Sequence, residues 1–410
     1  MPELRECLPA RGSGGALMKN EYDIVVVGGG PAGSMAALKA AENGASVLML
    51  EKDREIGVPV RCAEGLSDKG LQLVLGQVEP RWIAQKITKV QLVAPDNTVV
   101  DVMTGGQMGY ILHRKLFDYD LAAMAGEAGA DVVTRAYVYD VIREGDKVKG
   151  VKVDHLGRKT DISAKVVIGA DGVESRLGRW AGMKTLTKMK DMDTCVQMTL
   201  ADIDIDPGTI ILFFGHQVAP GGYAWIFPKG EKRANVGLGV SGAYSGEVKP
   251  LAYLEKFVDE KFPKAKVLTL VAGGVPCVDT LDRIVADGVM LVGDAAHQVN
   301  PMTGGGILNG MIAGKIAGQV AAEAVRKNNV SEKKLRKYSS EWHKKEGRNN
   351  ELSYRIQQVV NTFSDEDLNK IAHTVNDLPS EKRTIFQIFK TALLKHPKLI
   401  LDIAKVIGSG

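Results

Sequence analysis

A glycine-rich turn between a short apolar run and an alanine-rich segment constrains the fold of this chain more than any other feature. Residues 28–33 (GGGPAG) fit the pattern G-x-G-x-x-G and directly follow residues 22–27 (YDIVVV), which are typical of a buried parallel strand. In such a turn Gly28 permits the tight bend, Gly30 lets the backbone approach a pyrophosphate, and Gly33 allows helix and sheet to pack closely. The following helix N-terminus offers free N–H groups to phosphate.

The residues after the turn complete a strand–turn–helix–strand unit. Residues 34–43 are rich in alanine and predict a helix that Gly44 ends as its C-cap, and residues 45–50 (ASVLML) predict a second buried strand. Glu51 stands at the end of that strand, 18 residues after Gly33, where its carboxylate would accept hydrogen bonds from a ribose hydroxyl. The sequence therefore predicts a Rossmann-type dinucleotide site, although this pattern alone does not distinguish NAD from FAD.

The remaining segments are of two interleaved kinds. Residues 165–170 and 289–292 are continuous apolar runs, whereas residues 87–103 and 195–240 are typical of antiparallel strands. An α/β fold is therefore predicted, in which a second domain is inserted within the first. The predicted parts are a disordered or non-native leader (1–18), a discontinuous dinucleotide-binding domain (19–90, 105–180 and 275–325), an antiparallel-sheet substrate domain (91–104 and 181–274) and a C-terminal helical region (326–410).

Two later motifs and one arginine resemble those of the flavoprotein hydroxylases. Residues 167–172 (VIGADG) resemble their Asp-Gly motif, and residues 288–296 (GVMLVGDAA) resemble their Gly-Asp motif. The resemblance implies FAD as the cofactor and a fold of the glutathione reductase and p-hydroxybenzoate hydroxylase type. It places Asp294 at the ribose on the flavin side and Arg114 near the phosphates. The further FAD contacts that it implies are Ala32, Lys52, Val138, Asp171, Gly293, Gly305, Gly306 and Ile307.

Two more segments resemble the geranylgeranyl reductases. They are residues 55–66 (EIGVPVRCAEGL) and residues 220–230 (PGGYAWIFPKG), and the second fits the family pattern P-x-x-Y-x-W-x-F-P. The resemblance extends from about residue 18 to residue 405. It implies a reductase that saturates isoprenoid double bonds in a prenylated glycerophospholipid precursor of archaeal membranes. In this family the loop after the second strand lies near the flavin, which implies FAD contacts from Arg61, Cys62, Ala63 and Gly65.

Three aromatic residues alternate in the second of these segments. A strand would direct Tyr223, Trp225 and Phe227 to one face, where they could line an apolar substrate channel, although an aromatic stripe in the core explains the alternation as well. Alkene reduction needs a hydride from the reduced flavin and a proton from another group. Tyr223 and Cys62 are the candidate catalytic residues, and simple packing of a small thiol is the competing interpretation of Cys62.

The same FAD architecture also serves other functions. A flavin-dependent monooxygenase or halogenase is the main alternative, but halogenases usually carry G-W-x-W-x-I-P, whereas this chain reads GGYAWIFP. An electron-transfer flavoprotein that reduces a quinone would usually bring an iron–sulfur domain, and four scattered cysteines do not supply one. The reductase interpretation is therefore favoured.

Charge and cysteine usage bear on partners and location. Residues 326–410 carry 17 Lys and Arg against 10 Asp and Glu, and residues 385–405 combine apolar residues with lysines. This pattern suits peripheral membrane contact, although packing on the protein body explains it equally well. The isolated cysteines and the lack of an apolar run of about 18 residues predict a cytoplasmic protein, peripheral at most on the inner face of the membrane. No metal site and no nucleic-acid partner is predicted, and the electron donor is left open between a ferredoxin and a reduced flavin or NAD(P)H system.

Overall fold

The computed structural model describes residues 18–102, 109–244, 246, 249–379, 383 and 388. The predicted leader at 1–17 and the predicted amphipathic segment at 385–405, apart from residue 388, lie outside the described residues. The strands are β1 (Glu21–Val27), β2 (Val47–Leu50), β3 (Gly65–Ser67), β4 (Ile83–Ile87), β5 (Lys89–Val93), β6 (Val99–Val102), β7 (Gly109–Leu112), β8 (Asp131–Val133), β9 (Ala136–Glu144), β10 (Lys147–His155), β11 (Arg158–Gly169), β12 (Met192–Ala201), β13 (Thr209–Phe213), β14 (Tyr223–Pro228), β15 (Arg233–Ser241), β16 (Lys266–Pro276), β17 (Val285–Ala286) and β18 (Val289–Leu291). The α-helices are α1 (Pro31–Glu42), α2 (Asp68–Leu75), α3 (Arg114–Glu127), α4 (Arg176–Trp180), α5 (Pro250–Lys261), α6 (Ile307–Arg326), α7 (Glu332–Trp342), α8 (Arg348–Val360) and α9 (Asp365–Asn376).

A mainly parallel sheet carries the glycine-rich turn. Its strands lie in the order β17-β18-β11-β1-β2-β8, and the five from β18 to β8 run parallel. The second half of β11 pairs with β1, while its first half pairs with β10, which also pairs with β9. All four side chains of β2 and most of β1 are buried, as the apolar runs predict. The Rossmann-type part of the prediction is thus confirmed.

Helices α1 and α6 pack backbone to backbone beside this sheet. A Cβ atom on Gly314 would lie 2.1 Å from the carbonyl oxygen of Ala32, and one on Gly318 would lie 2.3 Å from that of Ala36. Only glycine permits an approach this close. Near the start of α6, a Cβ on Gly310 would lie 3.2 Å from the Cβ of Ala32. The first turns of both helices are therefore held side by side, at the end of the sheet where the glycine-rich turn lies.

A second sheet of seven strands has the order β16-β12-β15-β14-β13-β5-β6. Its neighbouring strands are antiparallel, except that β13 and β5 run parallel. Helix α5 packs against this sheet, and the two share a small hydrophobic core. Helix α9 packs on β6, the last strand in this order. Because β5 and β6 precede the helix α3 whereas the other five strands follow β11, the two sheets interleave along the chain, as predicted. The domain boundaries themselves stay predictions.

Several element ends differ from the sequence-based expectations. Helix α1 begins at Pro31 rather than at residue 34, because proline suits the first turn of a helix, and Gly44 follows the C-cap Asn43 with φ +82°. The predicted antiparallel region 195–240 extends in the structure from Met192, where β12 begins, to Ser241, where β15 ends. Among the described residues, no helix is both long and apolar enough to cross a membrane.

Candidate active site

The two sheets meet at a cavity of about 440 Å³. The parallel sheet and its helices contribute the glycine-rich turn, the start of α3, the end of β11 and the segment from Val292 to Gly310. The antiparallel sheet contributes the middle of β12, the aromatic residues of β14 and the second half of β16. The loop before β3 lies between these two walls. The cavity therefore brings together eight separate parts of the chain.

Most of the predicted site residues surround this cavity. Those that line it are Gly30, Ala32, Arg61, Cys62, Ala63, Gly65, Arg114, Tyr223, Trp225, Phe227, Gly293, Asp294, Gly305, Gly306 and Ile307. Those outside the lining are Gly28, Gly33, Glu51, Lys52, Val138 and Asp171. The second group lies around the glycine-rich turn or on the strands beside it, where an extended dinucleotide would leave the cavity.

The glycine-rich turn has the geometry that its sequence predicts. Gly28 has φ +109°, and a Cβ on Gly33 would lie 1.9 Å from the carbonyl oxygen of Gly28. By contrast, a Cβ on Gly30 would meet no protein atom within 4 Å. Gly30 is also the N-cap of α1 and offers no side chain to the helix N–H groups. Free space and free N–H groups therefore coincide at Gly30, as phosphate binding requires.

The remaining residues of the predicted nucleotide site lie along the edge of the parallel sheet. The carboxylate of Glu51 accepts hydrogen bonds from Gly29 N at 2.8 Å and Asp53 N at 2.9 Å, which leaves lone pairs for a ribose hydroxyl. Lys52 is exposed and paired with Asp53 at 2.9 Å. The Val138 side chain is only 5% exposed in the core, so its backbone alone could contact a nucleotide.

Two acidic residues lie just beyond the ends of neighbouring parallel strands, Asp171 after β11 and Asp294 after β18. Asp171 Oδ2 accepts a hydrogen bond from Leu177 N at 2.9 Å, whereas its buried Oδ1 has no partner among the described residues. Burial raises the pKa of Asp171 and of Asp294, and the nearby Arg114 opposes that rise at Asp294. The next segment leads to α6, whose N-cap Gly306 again leaves the first N–H groups without a side-chain cap.

These features fit the predicted FAD. Two uncapped helix N-termini, at Gly30 and Gly306, are held side by side and suit anionic groups. The open space at Gly30 suits a closely approaching pyrophosphate, and the unpartnered Asp171 Oδ1 can accept a hydrogen bond from a bound group. Among the described residues there is no group of three His, Cys, Asp or Glu side chains that could hold a metal ion.

A buried charged cluster fixes the loop that carries Arg61 and Cys62. Glu64 is 3% exposed, has φ +74°, and forms an ion pair with Lys229. Its carboxylate also accepts hydrogen bonds from Asn235 Nδ2 at 2.6 Å and from Arg114 N at 3.1 Å. Glu64 thereby connects the loop to the start of α3, to the end of β14 and to the start of β15. The sequence reading missed this role, although Glu64 and Lys229 both lie within the two segments that carry the family resemblance.

Gln197 on β12 makes a second connection to the same loop. Its Nε2 donates to the carbonyl oxygen of Cys62 at 3.0 Å, and its Oε1 accepts from Trp225 Nε1 at 3.0 Å. Gly65 packs on Phe227 so closely that a Cβ would lie 2.8 Å from its ring. The loop is therefore held against the aromatic strand. No local pattern marks Gln197, because its partners are distant in sequence.

The three alternating aromatic residues of β14 form one wall of the cavity. Tyr223 Oη donates a hydrogen bond to the carbonyl oxygen of Thr303 at 2.5 Å. This bond links β14 to the segment that precedes α6. The Tyr223 and Trp225 rings meet edge to face with centroids 5.9 Å apart. Burial raises the pKa of Tyr223, with smaller contributions from neighbouring thiols and Asp193, so its hydroxyl stays protonated at neutral pH. This wall is apolar except for a hydroxyl and an indole N–H, both already hydrogen-bonded.

Three cysteines that are far apart in sequence lie in the cavity lining or next to it. The Cys277 thiol is hydrogen-bonded to Asp193, and Cys195 and Cys62 both line the cavity. Burial raises the pKa of the Cys62, Cys195 and Cys277 thiols. Burial also raises the pKa of Asp193 from 3.8 to about 6, and only the hydrogen bond with Cys277 opposes this rise. The three thiols therefore stay protonated at neutral pH.

The buried carboxyl of Asp193 makes a testable contribution to the pH dependence of stability. Folding raises the pKa of Asp193 from 3.8 to about 6. The stabilisation of the fold that this shift provides is therefore fully present below pH 3.8 and is lost as the pH rises to about 6. Asp193→Asn removes this loss. As the pH rises between these values, we expect the free energy of unfolding of the variant to increase by up to about 3 kcal/mol relative to that of the wild type. This difference corresponds to a few degrees in the thermal midpoint.

Thermal unfolding of the FAD-free protein, followed by circular dichroism at a series of pH values, measures this difference. Asp146→Asn is the matched control, because the Asp146 side chain is fully exposed. A constant offset between Asp193→Asn and the wild type across this pH range would contradict the prediction.

Comparisons with known proteins bear on the whole chain. A family model described as the geranylgeranyl reductase catalytic domain matches residues 191–275, and one for pyridine nucleotide-disulphide oxidoreductases matches residues 22–212. The chain is 44% identical over 387 residues to digeranylgeranylglycerophospholipid reductase 1 of Methanococcoides burtonii, covering 94% of each protein. It is 42% identical to the digeranylgeranylglycerophospholipid reductase of Methanocella arvoryzae, covering 95% of this chain and 100% of that protein.

A solved structure is similar over nearly the same length. It is a geranylgeranyl bacteriochlorophyll reductase-like protein from Thermoplasma acidophilum, which is 36% identical and superimposes with a TM-score of 0.88. The match covers 94% of this chain and 99% of that one. The similarity therefore includes both sheets and the cavity between them.

Proposed function

Since the chain belongs to the digeranylgeranylglycerophospholipid reductase family, we propose that it saturates the isoprenoid double bonds of geranylgeranyl chains in archaeal membrane-lipid precursors. The substrate class is 2,3-di-O-geranylgeranylglyceryl phosphate and related phospholipids. The observation that carries this proposal is the shared cavity. Two uncapped helix N-termini lie on one side of it, and the apolar wall of Tyr223, Trp225 and Phe227 lies on the other.

The cofactor is FAD, which in its reduced form supplies a hydride to the alkene. We propose that Gly30 and the first turn of α1 bind its phosphates and that Glu51 accepts a hydrogen bond from a ribose hydroxyl. The first turn of α6, at Gly305, Gly306 and Ile307, would lie against the flavin ring, where the positive end of a helix dipole favours negative charge. The same turn is held against the aromatic wall by the hydrogen bond from Tyr223 to Thr303.

The aromatic wall would orient the prenyl chain and exclude water from it. Trp225 and Phe227 offer large apolar surfaces, and Gln197 and Gly65 fix their positions. A chain held at a fixed distance from the cofactor reacts faster because its orientation no longer depends on a chance encounter. Few charged side chains lie on this wall. This suits an alkene, because it has no polar group that a charged side chain could bind.

The reaction also needs a proton, and several side chains that line the cavity hold one. The raised pKa values keep the Tyr223 hydroxyl and the Cys62 thiol protonated at neutral pH. We propose these two as the candidate proton donors. The Tyr223 proton already points to the Thr303 carbonyl, so its transfer would require that hydrogen bond to break, whereas the Cys62 sulfur only accepts a hydrogen bond, from Glu64 N at 3.2 Å.

Reducing equivalents would come from a separate donor. A ferredoxin and a reduced flavin or NAD(P)H system both fit. The sequence matches G-x-G-x-x-G a second time at residues 237–242, but this match lies on the antiparallel strand β15 and does not lead into a helix as a second nucleotide turn would. A cytoplasmic location with peripheral contact at the inner face of the membrane suits a substrate whose long apolar chains are embedded in lipid.

A single anaerobic experiment tests the function. The purified holoprotein is reduced with dithionite, excess reductant is removed, and 2,3-di-O-geranylgeranylglyceryl phosphate is added while the flavin absorbance and the lipid mass are followed. We expect the flavin to reoxidise as the lipid gains hydrogens in pairs. A flavin that stays reduced until oxygen is admitted, with the lipid unchanged, would reject the proposal and favour an oxygen-dependent reaction.

A further inference from the structure

Strand β16 forms a free edge of the antiparallel sheet. It pairs with β12 on one side, and no other described strand pairs with it. Val267, Leu268 and Leu270 are 53%, 55% and 51% exposed. Because successive residues of a strand face opposite sides of the sheet, both faces are uncovered at this end of β16. Proteins normally protect such edges from unwanted pairing. We therefore expect a partner to cover this exposed apolar edge.

The other end of β16 is a wall of the active-site cavity. Five consecutive residues, from Val271 to Val275, line it. Successive residues of that run belong to opposite faces of the sheet, so the cavity lies along the edge of the strand rather than over one face. The exposed residues Val267, Leu268 and Leu270 therefore continue the cavity wall outward along the same strand. An apolar chain could pass from this edge into the cavity without crossing the sheet.

The segment leading to this edge is basic. Residues 261–270 (KFPKAKVLTL) contain three lysines and no acidic residue, and all three lysines are exposed. The acidic residues just before it lie on α5, where Glu260 is 3.9 Å from Lys256. Lysines next to exposed leucines and valines suit an anionic lipid surface, which attracts the charges while the apolar side chains enter the acyl region.

We propose that the β16 edge, defined as Lys264, Lys266, Val267, Leu268 and Leu270, docks on an anionic lipid bilayer, so that prenyl chains enter the cavity laterally at Val271–Val275. This inference rests on the proposed function, because it needs a substrate that resides in the membrane. It also gives the exposed edge a role, since a prenyl chain that enters along β16 stays out of water. Lysines at the edge would oppose pairing with the same edge of a second copy.

Vesicle binding tests the docking surface. The holoprotein is mixed with vesicles of equal parts phosphatidylglycerol and phosphatidylcholine, and the bound fraction is measured by sedimentation. We expect Leu268→Thr/Leu270→Thr to weaken binding about tenfold or more, because threonine keeps the strand propensity but removes most of the apolar surface. We expect Lys264→Gln/Lys266→Gln to weaken it roughly tenfold to thirtyfold, and added salt to weaken wild-type binding.

Two controls match these variants elsewhere on the surface. Leu186→Thr changes a leucine that is 77% exposed, and Lys344→Gln/Lys345→Gln changes two exposed lysines beside a second groove with an apolar floor that includes Ile312 and Ile316. Both controls should bind vesicles as the wild type does. Docking at β16 is rejected if the wild type does not bind, if the β16 variants bind normally, or if only the Lys344→Gln/Lys345→Gln control loses binding. It is also rejected if sedimentation velocity shows a wild-type dimer that these β16 variants disrupt, because a second copy would then cover the edge.

Turnover in two media separates this inference from the proposed function. With substrate embedded in the vesicles, the β16 variants should turn over about tenfold more slowly than the wild type; with substrate in neutral detergent micelles, they should be within about twofold of it. Equal loss in both media would place these residues in the folding or chemistry of the protein and overturn the docking proposal. If no lipid is reduced in either medium while vesicle binding follows the predicted pattern, the proposed function fails and the docking surface stands.

Discussion

Substitution of Gly30 by alanine is expected to leave the apoprotein folded and to abolish its tight binding of FAD. A Cβ at this position meets no protein atom within 4 Å, and Gly30 has an ordinary φ of −73°. The same Cβ would occupy the space through which a pyrophosphate approaches the first turn of α1. Losing one or two charge-assisted hydrogen bonds there, each worth about 1.5–3 kcal/mol, weakens FAD binding about a hundredfold.

Gly33→Ala provides the contrasting variant. Its Cβ would lie 1.9 Å from the carbonyl oxygen of Gly28, so this substitution disturbs the packing of α1 on the sheet as well as the cofactor site. FAD titration followed by flavin fluorescence, together with the thermal midpoint of each apoprotein, separates the two effects. Wild-type affinity for FAD in Gly30→Ala would show that the phosphates do not approach the backbone at this glycine.

Removal of the Glu64 carboxylate is expected to have the largest effect on stability among single substitutions at the site. Glu64→Ala leaves the Lys229 ammonium without its partner and removes the acceptor of Asn235 Nδ2 and Arg114 N. Breaking a buried ion pair by removing one partner costs about 3–5 kcal/mol, because the remaining charge stays desolvated. The loop with Arg61 and Cys62 would lose its anchor, so FAD affinity and turnover should fall as well.

Glu55→Ala is the matched control for this variant. Glu55 pairs with Lys115 at 2.8 Å, but the two side chains are 36% and 57% exposed, so the loss should be at most about 1 kcal/mol. Urea unfolding of both variants and of Glu64→Gln, which keeps the hydrogen-bonding shape without the charge, measures the difference. Similar losses in Glu64→Ala and Glu55→Ala would mean that the buried cluster contributes no more than a surface pair.

Local patterns in the sequence predicted the cofactor half of the protein. The turn with Gly28, Gly30 and Gly33 depends on backbone conformations and close approaches within six residues, so the residues themselves mark it. The alternation of Tyr223, Trp225 and Phe227 places all three on one wall for the same reason, since the period of a strand is two residues. The family, the FAD architecture and the interleaved fold followed from such signals, while the roles of individual site residues stay predictions.

Only the tertiary structure decided what surrounds these motifs. Glu64 and Asn235 are 171 residues apart, and Gln197 is 135 residues from Cys62, so no window of sequence indicates that they are hydrogen-bonded. Cysteines that look isolated in the sequence gather at one cavity, because β12 and β16 pair beside the loop before β3. The sequence alone determined where the chain turns and which apolar side chains it buries, since each depends on neighbouring residues. The pairing order of distant strands determined which side chains meet, and among the described strands it left β16 at the edge of its sheet.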